Sequence, residues 1–170
     1  MEIVQQKFEK AYKEYSPGIL RYIYLRVNDW NAAKDITQDT FFKAWRSIAE
    51  GNMSEIQNYK AFFYRIANNN VIDYYRKIKD LSLDEIEETE IEKIAFVEAE
   101  QGRDFDLKIE KDKLGHYLSE LRDEYKQVLI MRYINDLSID EISQILDKRN
   151  GNIRILLHRA MRVLKKKYGR

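Results

Sequence analysis

A chain of 170 residues with 30 basic and 29 acidic side chains carries almost no net charge, and it has one proline and no cysteine. The missing cysteines exclude disulfides and thiolate metal sites, and no apolar stretch approaches the roughly 18 residues of a membrane span. The N-terminus, MEIVQQKFEK, lacks the apolar core of a signal peptide, so the expectation is a soluble cytoplasmic chain, long enough for one domain or two small ones.

The near-neutral total hides a partition. Residues 1–80 carry 13 basic and 10 acidic side chains, residues 81–124 carry 6 and 15, and residues 125–170 carry 11 and 4. Two basic ends flank an acidic middle, a distribution that suits ends meeting phosphate and a connector that avoids it or competes with it. Alternating β-branched runs are absent and glycine is sparse, so the expected fold class is all-α: two small helical domains joined by an acidic linker. The expected boundaries are 1–80, 81–112 and 113–170.

In chain order, a first helix covers about Phe8 to Tyr15. Ser16 and Pro17 then read as N-cap and first position of a second helix running to about Val27. Asn31 is the expected cap of a third, from Ala32 to Ile48. Ala33, Ile36, Thr37, Thr40, Phe41, Ala44, Trp45 and Ile48 share its inner face, while Asp35, Gln38, Asp39, Phe42 and Arg46 point outward. An isolated exposed phenylalanine needs no explanation; a partner that covers Phe42 is the sharper reading.

A break from Ala49 to Gln57, containing Asn52, leads to a long helix from about Asn58 to Lys79. Its expected core stripe is Tyr59, Phe62, Phe63, Ile66, Ala67, Tyr74 and Ile78. The opposite side then holds Tyr64, Arg65, Asn68, Asn69, Ile72, Tyr75 and Arg76. Aromatic rings interleaved with cations and amides suit single-stranded DNA, because rings stack on unpaired bases, cations meet phosphates and amides bond base edges. With twelve tyrosines in the chain, some must be plain amphipathic surface.

The segment from Leu81 to Asp112 reads as a linker, with room for a short helix opened by Ser82 and Glu85. A helix from about Asp123 to Ile134 follows. Ser138 and Glu141 then form a capping-box pattern at the start of a short helix whose Ile142, Ile145 and Leu146 share a face. After a tight polar turn, Ile153, Leu156, Leu157, Ala160, Met161 and Leu164 line one side of the last helix. Asn152, Arg154, His158, Arg159, Arg162, Lys165 and Lys166 line the other, broken only by Ile155. A basic helix is often just a solvated surface. Placed after a capped helix and a tight turn, it reads instead as a DNA-binding helix-turn-helix.

Together these motifs resemble the bacterial extracytoplasmic-function sigma factors, small members of the sigma-70 family that keep only conserved regions 2 and 4. AAKDITQDTFFKAWRSI from Ala32 resembles the family's core-polymerase-binding helix, and YKAFFYRIANNNVIDYYRK from Tyr59 its −10-recognition and melting helix. The stretch from Leu121 to Lys167 resembles its −35-binding domain. The resemblance implies polymerase contacts at Asp35, Gln38, Asp39 and Phe42. It implies −10 DNA contacts at Arg65, Asn69 and Arg76, to which the face of the long helix adds Tyr64, Asn68 and Tyr75, and a −10 base captured by the loop that carries Asn52. It also implies −35 contacts at Arg154, His158 and Arg159, and Asn152, Ile155, Arg162, Lys165 and Lys166 extend the same face. Asp73 and Tyr74 match the melting-helix motif too, with Tyr74 on the expected core stripe.

Departures from the family pattern are Asn68 and Asn70 in place of a basic and an apolar residue, Arg122 for proline, Asp147 and Lys148 in the turn, and Leu156 at a frequently basic position. The implied partners are core RNA polymerase, promoter DNA and an anti-sigma factor. No catalytic residue, metal ligand or cofactor is expected, since His116 and His158 are far apart and there is no H-E-x-x-H, Walker or G-x-G-x-x-G motif. Two other readings stay open: a helix-turn-helix regulator that binds its operator without polymerase, and a helical adaptor that does not bind DNA.

Overall fold

The computed structural model describes residues 1–51, 56–82 and 111–169, and all regular structure among them is helical. The helices are α1 (Glu2–Val27), α2 (Trp30–Ala49), α3 (Tyr59–Ser82), α4 (Lys111–Ser119), α5 (Asp123–Leu129), α6 (Ile139–Leu146) and α7 (Asn150–Tyr168), with a π turn over Ile130–Ile134 after α5. They form two compact units, α1–α3 and α4–α7. Asn52 and the short helix expected from Ser82 and Glu85 lie outside the described residues.

In the first unit each helix packs on the other two. Phe63, fully buried on α3, has ring contacts with Phe8 of α1 at 5.7 Å and Phe41 of α2 at 4.9 Å between centroids. The expected division of α1 at Ser16–Pro17 is corrected: the helix runs unbroken, with Pro17 inside it. Ala11, Ile19, Tyr22, Ile23 and Arg26 are buried along one stripe of this single helix, so packing on α2 and α3 holds both halves in line despite the unfavourable interior proline. Asn28 ends α1 in the left-handed region (φ 58°), its N–H donating to the Tyr24 carbonyl at 2.8 Å. Two residues on, at Trp30, α2 starts. Asp29, not Asn31, is its cap, the carboxylate accepting from the Ala32 N–H at 3.0 Å, which leaves Asn31 within the first turn.

The second unit closes on Val128, Ile130, Met131, Leu137, Ile142 and Ile153, all fully buried. The helix expected to run to Ile134 widens over its last five residues, where the Asn135 N–H bonds to the Ile130 carbonyl at 3.0 Å across five residues. The wide turn delivers Leu137 to the core and leaves Tyr133 outside. The capping box at α6 forms as its spacing implies: Ser138 Oγ accepts from the Glu141 N–H at 3.0 Å, and the Ser138 N–H donates to Glu141 Oε1 at 3.4 Å. Asp147 turns the chain between α6 and α7 in a left-handed conformation (φ 52°), and the Lys148 ammonium ties the turn to Glu124 of α5 at 3.2 Å.

A clasp joins the two ends of this unit. The Tyr168 ring near the end of α7 lies 3.8 Å from that of Tyr117 on α4, its hydroxyl donates to the Glu120 carboxylate, and Lys167 Nζ reaches the Glu120 carbonyl at 3.3 Å. His116 Nε2 is 3.3 Å from Glu120 Oε1. The hydrogen bond from Tyr168, aided by the His116 and Lys167 charges, holds the Glu120 carboxyl below its ordinary range. The same bond pushes the Tyr168 phenol up to about 12. A depressed carboxyl stabilises the fold above its unfolded pKa and ceases to as the pH falls through the folded one. A raised phenol stabilises it below pH 10 and ceases to as the pH climbs toward 12. The difference in melting temperature between wild type and Tyr168→Phe should therefore be greatest near neutrality. It should narrow below the carboxylate range and again above pH 10, as read by thermal unfolding across a pH series; a constant difference would show that the hydrogen bond does not form in solution.

Candidate nucleic-acid interface

The outward side of α2 is as its periodicity implies. Asp35, Gln38, Asp39 and Phe42 are exposed, with Phe42 at 62% and the Arg46 guanidinium 5.9 Å from its ring centroid. The inner residues Ala33, Thr40, Phe41 and Ala44 are buried. Asp39 also pairs with Lys43 one turn on, at 2.9 Å. A cleft of about 400 Å³ between α1 and α2, lined by Tyr12, Leu20, Asp35 and Gln38 among others, opens beside this face.

On α3 the expected faces need correction. Tyr64 is 2% exposed and Asn68 6%, and both lie in the core rather than on a DNA-facing side. The Tyr64 ring meets Tyr22 of α1 edge to face at 5.4 Å. Asn68 Oδ1 accepts from the buried Arg26 guanidinium and from the Tyr22 hydroxyl, the latter at 3.1 Å. Tyr75 is half-buried, its hydroxyl donating to the Arg26 carbonyl. At 100° per residue the buried stripe is turned by roughly 60° from the expected one. The reason is that Asn68 and Asn70, polar residues read as outward or neutral, find partners on α1 and α2 that allow them inside.

The ridge that remains in solvent carries Arg65, Asn69, Ile72, Asp73 and Arg76, and Lys79 continues it one turn further. Lys79 was not among the expected contacts; its i+3 spacing from Arg76 is the signal that places it there. This ridge offers cations and one amide, with the rings of Tyr74 and Tyr75 half-buried at its flank. It can neutralise phosphates and meet base edges, but its capacity to stack bases is smaller than the composition of the helix suggests.

In the second unit, Ile153, Leu156, Leu157 and Ala160 of α7 are buried, and Asn152, Arg154, Ile155, His158, Arg159, Arg162, Lys165 and Lys166 are all exposed. Ile155 stands 50% exposed in the middle of this polar side. Burial of Leu156 explains why a basic residue is absent there. A cleft of about 420 Å³ runs along the flank of α7 between Arg154, His158 and Lys165 on one wall and Arg132 and Tyr133 of the π turn on the other. Arg132 donates to the Leu137 carbonyl at 3.0 Å and so is held at the cleft. It adds a cation that helix periodicity within α7 could not reveal. Among the described residues no group of three or more histidine, aspartate or glutamate side chains could hold a metal, and no helix is long and apolar enough to cross a membrane.

Comparison with known proteins gives the same division. The family model of sigma-70 region 2 matches residues 11–80, and that of sigma-70 region 4 matches residues 111–164. The RNA polymerase sigma factor YlaC of Bacillus subtilis is 31% identical over 163 residues, covering 95% of this chain and 92% of its own length. The ECF RNA polymerase sigma factor SigM of the same organism is 29% identical, covering 95% of each. Among solved structures, the sigma factor RpoE of Bartonella quintana, in complex with the anti-sigma factor NepR, superposes with a TM-score of 0.73 at 18% identity, over 97% of this chain and 99% of that one. CnrH, in complex with the cytosolic domain of CnrY, gives 0.70 at 17% identity, over 95% and 87%. At these identities the two structures establish a shared fold.

The corrected faces of α3 separate packing from contact. Tyr64→Ala should destabilise the first unit by about 3–5 kcal/mol, the range for a large buried aromatic, whereas Arg65→Ala, one residue along on the exposed ridge, should stay within about 0.5 kcal/mol. Denaturant unfolding of the two variants checks this, and equal stabilities would return Tyr64 to the surface.

Proposed function

The chain belongs to the sigma-70 family, in its extracytoplasmic-function group, and from that premise we propose how its faces divide the work of an RNA polymerase sigma factor. A factor of this kind directs core polymerase to specific promoters and assists DNA opening. Residues 1–80 serve as region 2, 81–112 as the acidic linker and 113–170 as region 4.

Asp35, Gln38, Asp39 and Phe42 on α2 dock on core polymerase, and the dock covers a phenylalanine that is otherwise in water. Arg65, Asn69, Arg76 and the edge of Tyr75 meet the −10 DNA, with Asn52, in the stretch of sequence before α3, at the captured base. On α7, Asn152, Arg154, Ile155 and Arg159 read −35 base edges, while His158, Arg162, Lys165 and Lys166 set the helix on the phosphates, as helix-turn-helix proteins divide these tasks.

Neither unit alone offers many phosphate contacts. Held on one polymerase, the second contact becomes effectively intramolecular, so promoter affinity belongs to the assembled enzyme and not to the free chain. Opening needs no bond chemistry from the protein: the energy of unpairing is offset by contacts to extruded and unpaired bases. The chain acts as a binding subunit without an active site of its own, in the cytoplasm where its polymerase works. The complex of the similarly folded RpoE with NepR supports an anti-sigma factor as a further partner.

The observation that carries this reading is the α7 face, where Asn152, six charged or titratable side chains and one isoleucine stand in solvent opposite a buried apolar stripe. Arg154 can pair with guanine in bidentate fashion and Ile155 can cover a thymine methyl. Core polymerase carrying the wild-type chain should initiate from a defined promoter set, read by sequencing the transcripts. With a randomised −35 library, Arg154→Ala and Ile155→Ala should shift the preferred bases, by about 1–3 kcal/mol at one position for the arginine and less for the isoleucine. Recovery of the parental profile by both variants would remove them as base readers. Tight, specific DNA binding by the free chain would instead favour an operator-binding regulator.

A further inference from the structure

We propose that Asn70 is a positioning residue for polymerase docking: from inside the α2–α3 seam it holds the Lys43 ammonium, and through it the Asp39 carboxylate on the docking face. The inference rests on the reading of Asp39 as a polymerase contact.

Asn70 is 7% exposed, and a buried amide is costly unless both its ends are bonded. Both are. Its Nδ2 donates to Thr40 Oγ1 at 3.0 Å and its Oδ1 accepts from Lys43 Nζ at 2.7 Å. The orientation of the amide is fixed by Thr40, whose own hydroxyl proton is committed to the Ile36 carbonyl at 2.7 Å, leaving its oxygen able only to accept. Turning the amide over would set an N–H group against an ammonium and an oxygen against an oxygen. Asn70 therefore presents an acceptor, and only an acceptor, to Lys43.

Lys43 in turn lies 2.9 Å from Asp39 Oδ2, with both side chains nearly half exposed. An ordinary surface pair of this kind is weak because a long lysine chain must surrender its rotamer freedom to form it. Here Asn70 has already ordered the lysine. The carboxylate meets a cation fixed in place, so a donor on the polymerase finds Asp39 set in one rotamer instead of many. The same amide sits on the helix that carries the −10 ridge, so the docking face and the DNA face are built on one shared hydrogen-bonded seam.

The test measures affinity of the full chain for core polymerase, with thermal stability alongside. Asn70→Leu replaces the amide by an apolar side chain of similar size; it should leave the melting temperature unchanged or raised, yet weaken core binding about three- to tenfold. In an Asp39→Ala background the same change should cost less than about twofold. Lys43→Gln, at a partly exposed position where folding is not at stake, should repeat both results. If Asp39→Ala weakens binding while Asn70→Leu and Lys43→Gln do not, the positioning role is overturned and Asp39 remains a contact. Equal losses in both backgrounds would mean a general loosening of the seam, which also overturns it. An Asp39→Ala variant that binds like wild type would remove the docking reading itself, and this inference with it.

Discussion

The ring of Phe63 touches aromatic side chains from every helix of the first unit: Phe8 and Tyr15 from α1, Phe41 from α2, Tyr59 and Phe62 from its own helix. Aromatic pairs have preferred angles as well as distances, and those between Phe63 and the two neighbouring helices are close to edge-on. A three-helix unit bound by shape alone could let one helix rotate about its axis. With Phe63 seated between α1 and α2, and with Tyr64 fixed on Tyr22, the rotation of α3 is set. Which residues of α3 reach water follows from that constraint, as does the separation of its cationic ridge from the acidic, Phe42-bearing ridge of α2.

The two units meet the problem of buried polar groups differently. The second buries no charged side chain among its described residues and closes on apolar ones. The first buries Arg26 to 1% exposure and wraps it with Tyr22 and Asn68, while Thr40 and Asn70 make a second polar seam between α2 and α3. Such groups add little net stability over an apolar core of the same volume. What they add is register, because each hydrogen bond is satisfied in one alignment of the helices only. In a unit whose outer faces are proposed to meet two different macromolecules, alignment matters more than a few extra kcal/mol.

Much of this organisation is legible in the residues. The capping box at Ser138 and Glu141, the two faces of α7 and those of α2 follow from spacing alone, because the box needs only its own four residues and no charged residue of α2 or α7 is buried. The rotation of α3 does not, since the ring packing that sets it also needs Asn68 and Asn70 to find partners between 27 and 46 residues away in sequence, and an amide looks the same whether solvated or satisfied. Pro17 misleads for a related reason: its local preference to begin a helix is overridden by a stripe of burial that spans it. Nor could the clasp of Tyr168 on Glu120 be inferred, as it joins residues 48 apart with no periodicity connecting them. Asn52 and residues 83–110 lie beyond the described residues.

Pro17 has one more effect, on how α1 opens. Its nitrogen has no hydrogen to give the Lys13 carbonyl, so the ladder of α1 has a missing rung between two unequal halves. Beyond it, Ile19, Tyr22, Ile23, Arg26 and Val27 are buried; before it, only Ala11 is. The first half is held instead by ring contacts of side chains that keep part of their surface in water, Phe8 on Trp45 and Phe63, Tyr12 on Phe41 and Tyr15 on Phe63, so less of it is shielded from solvent than of the second. The helix, continuous in outline, should therefore exchange its amide hydrogens unevenly, faster before Pro17 than beyond it.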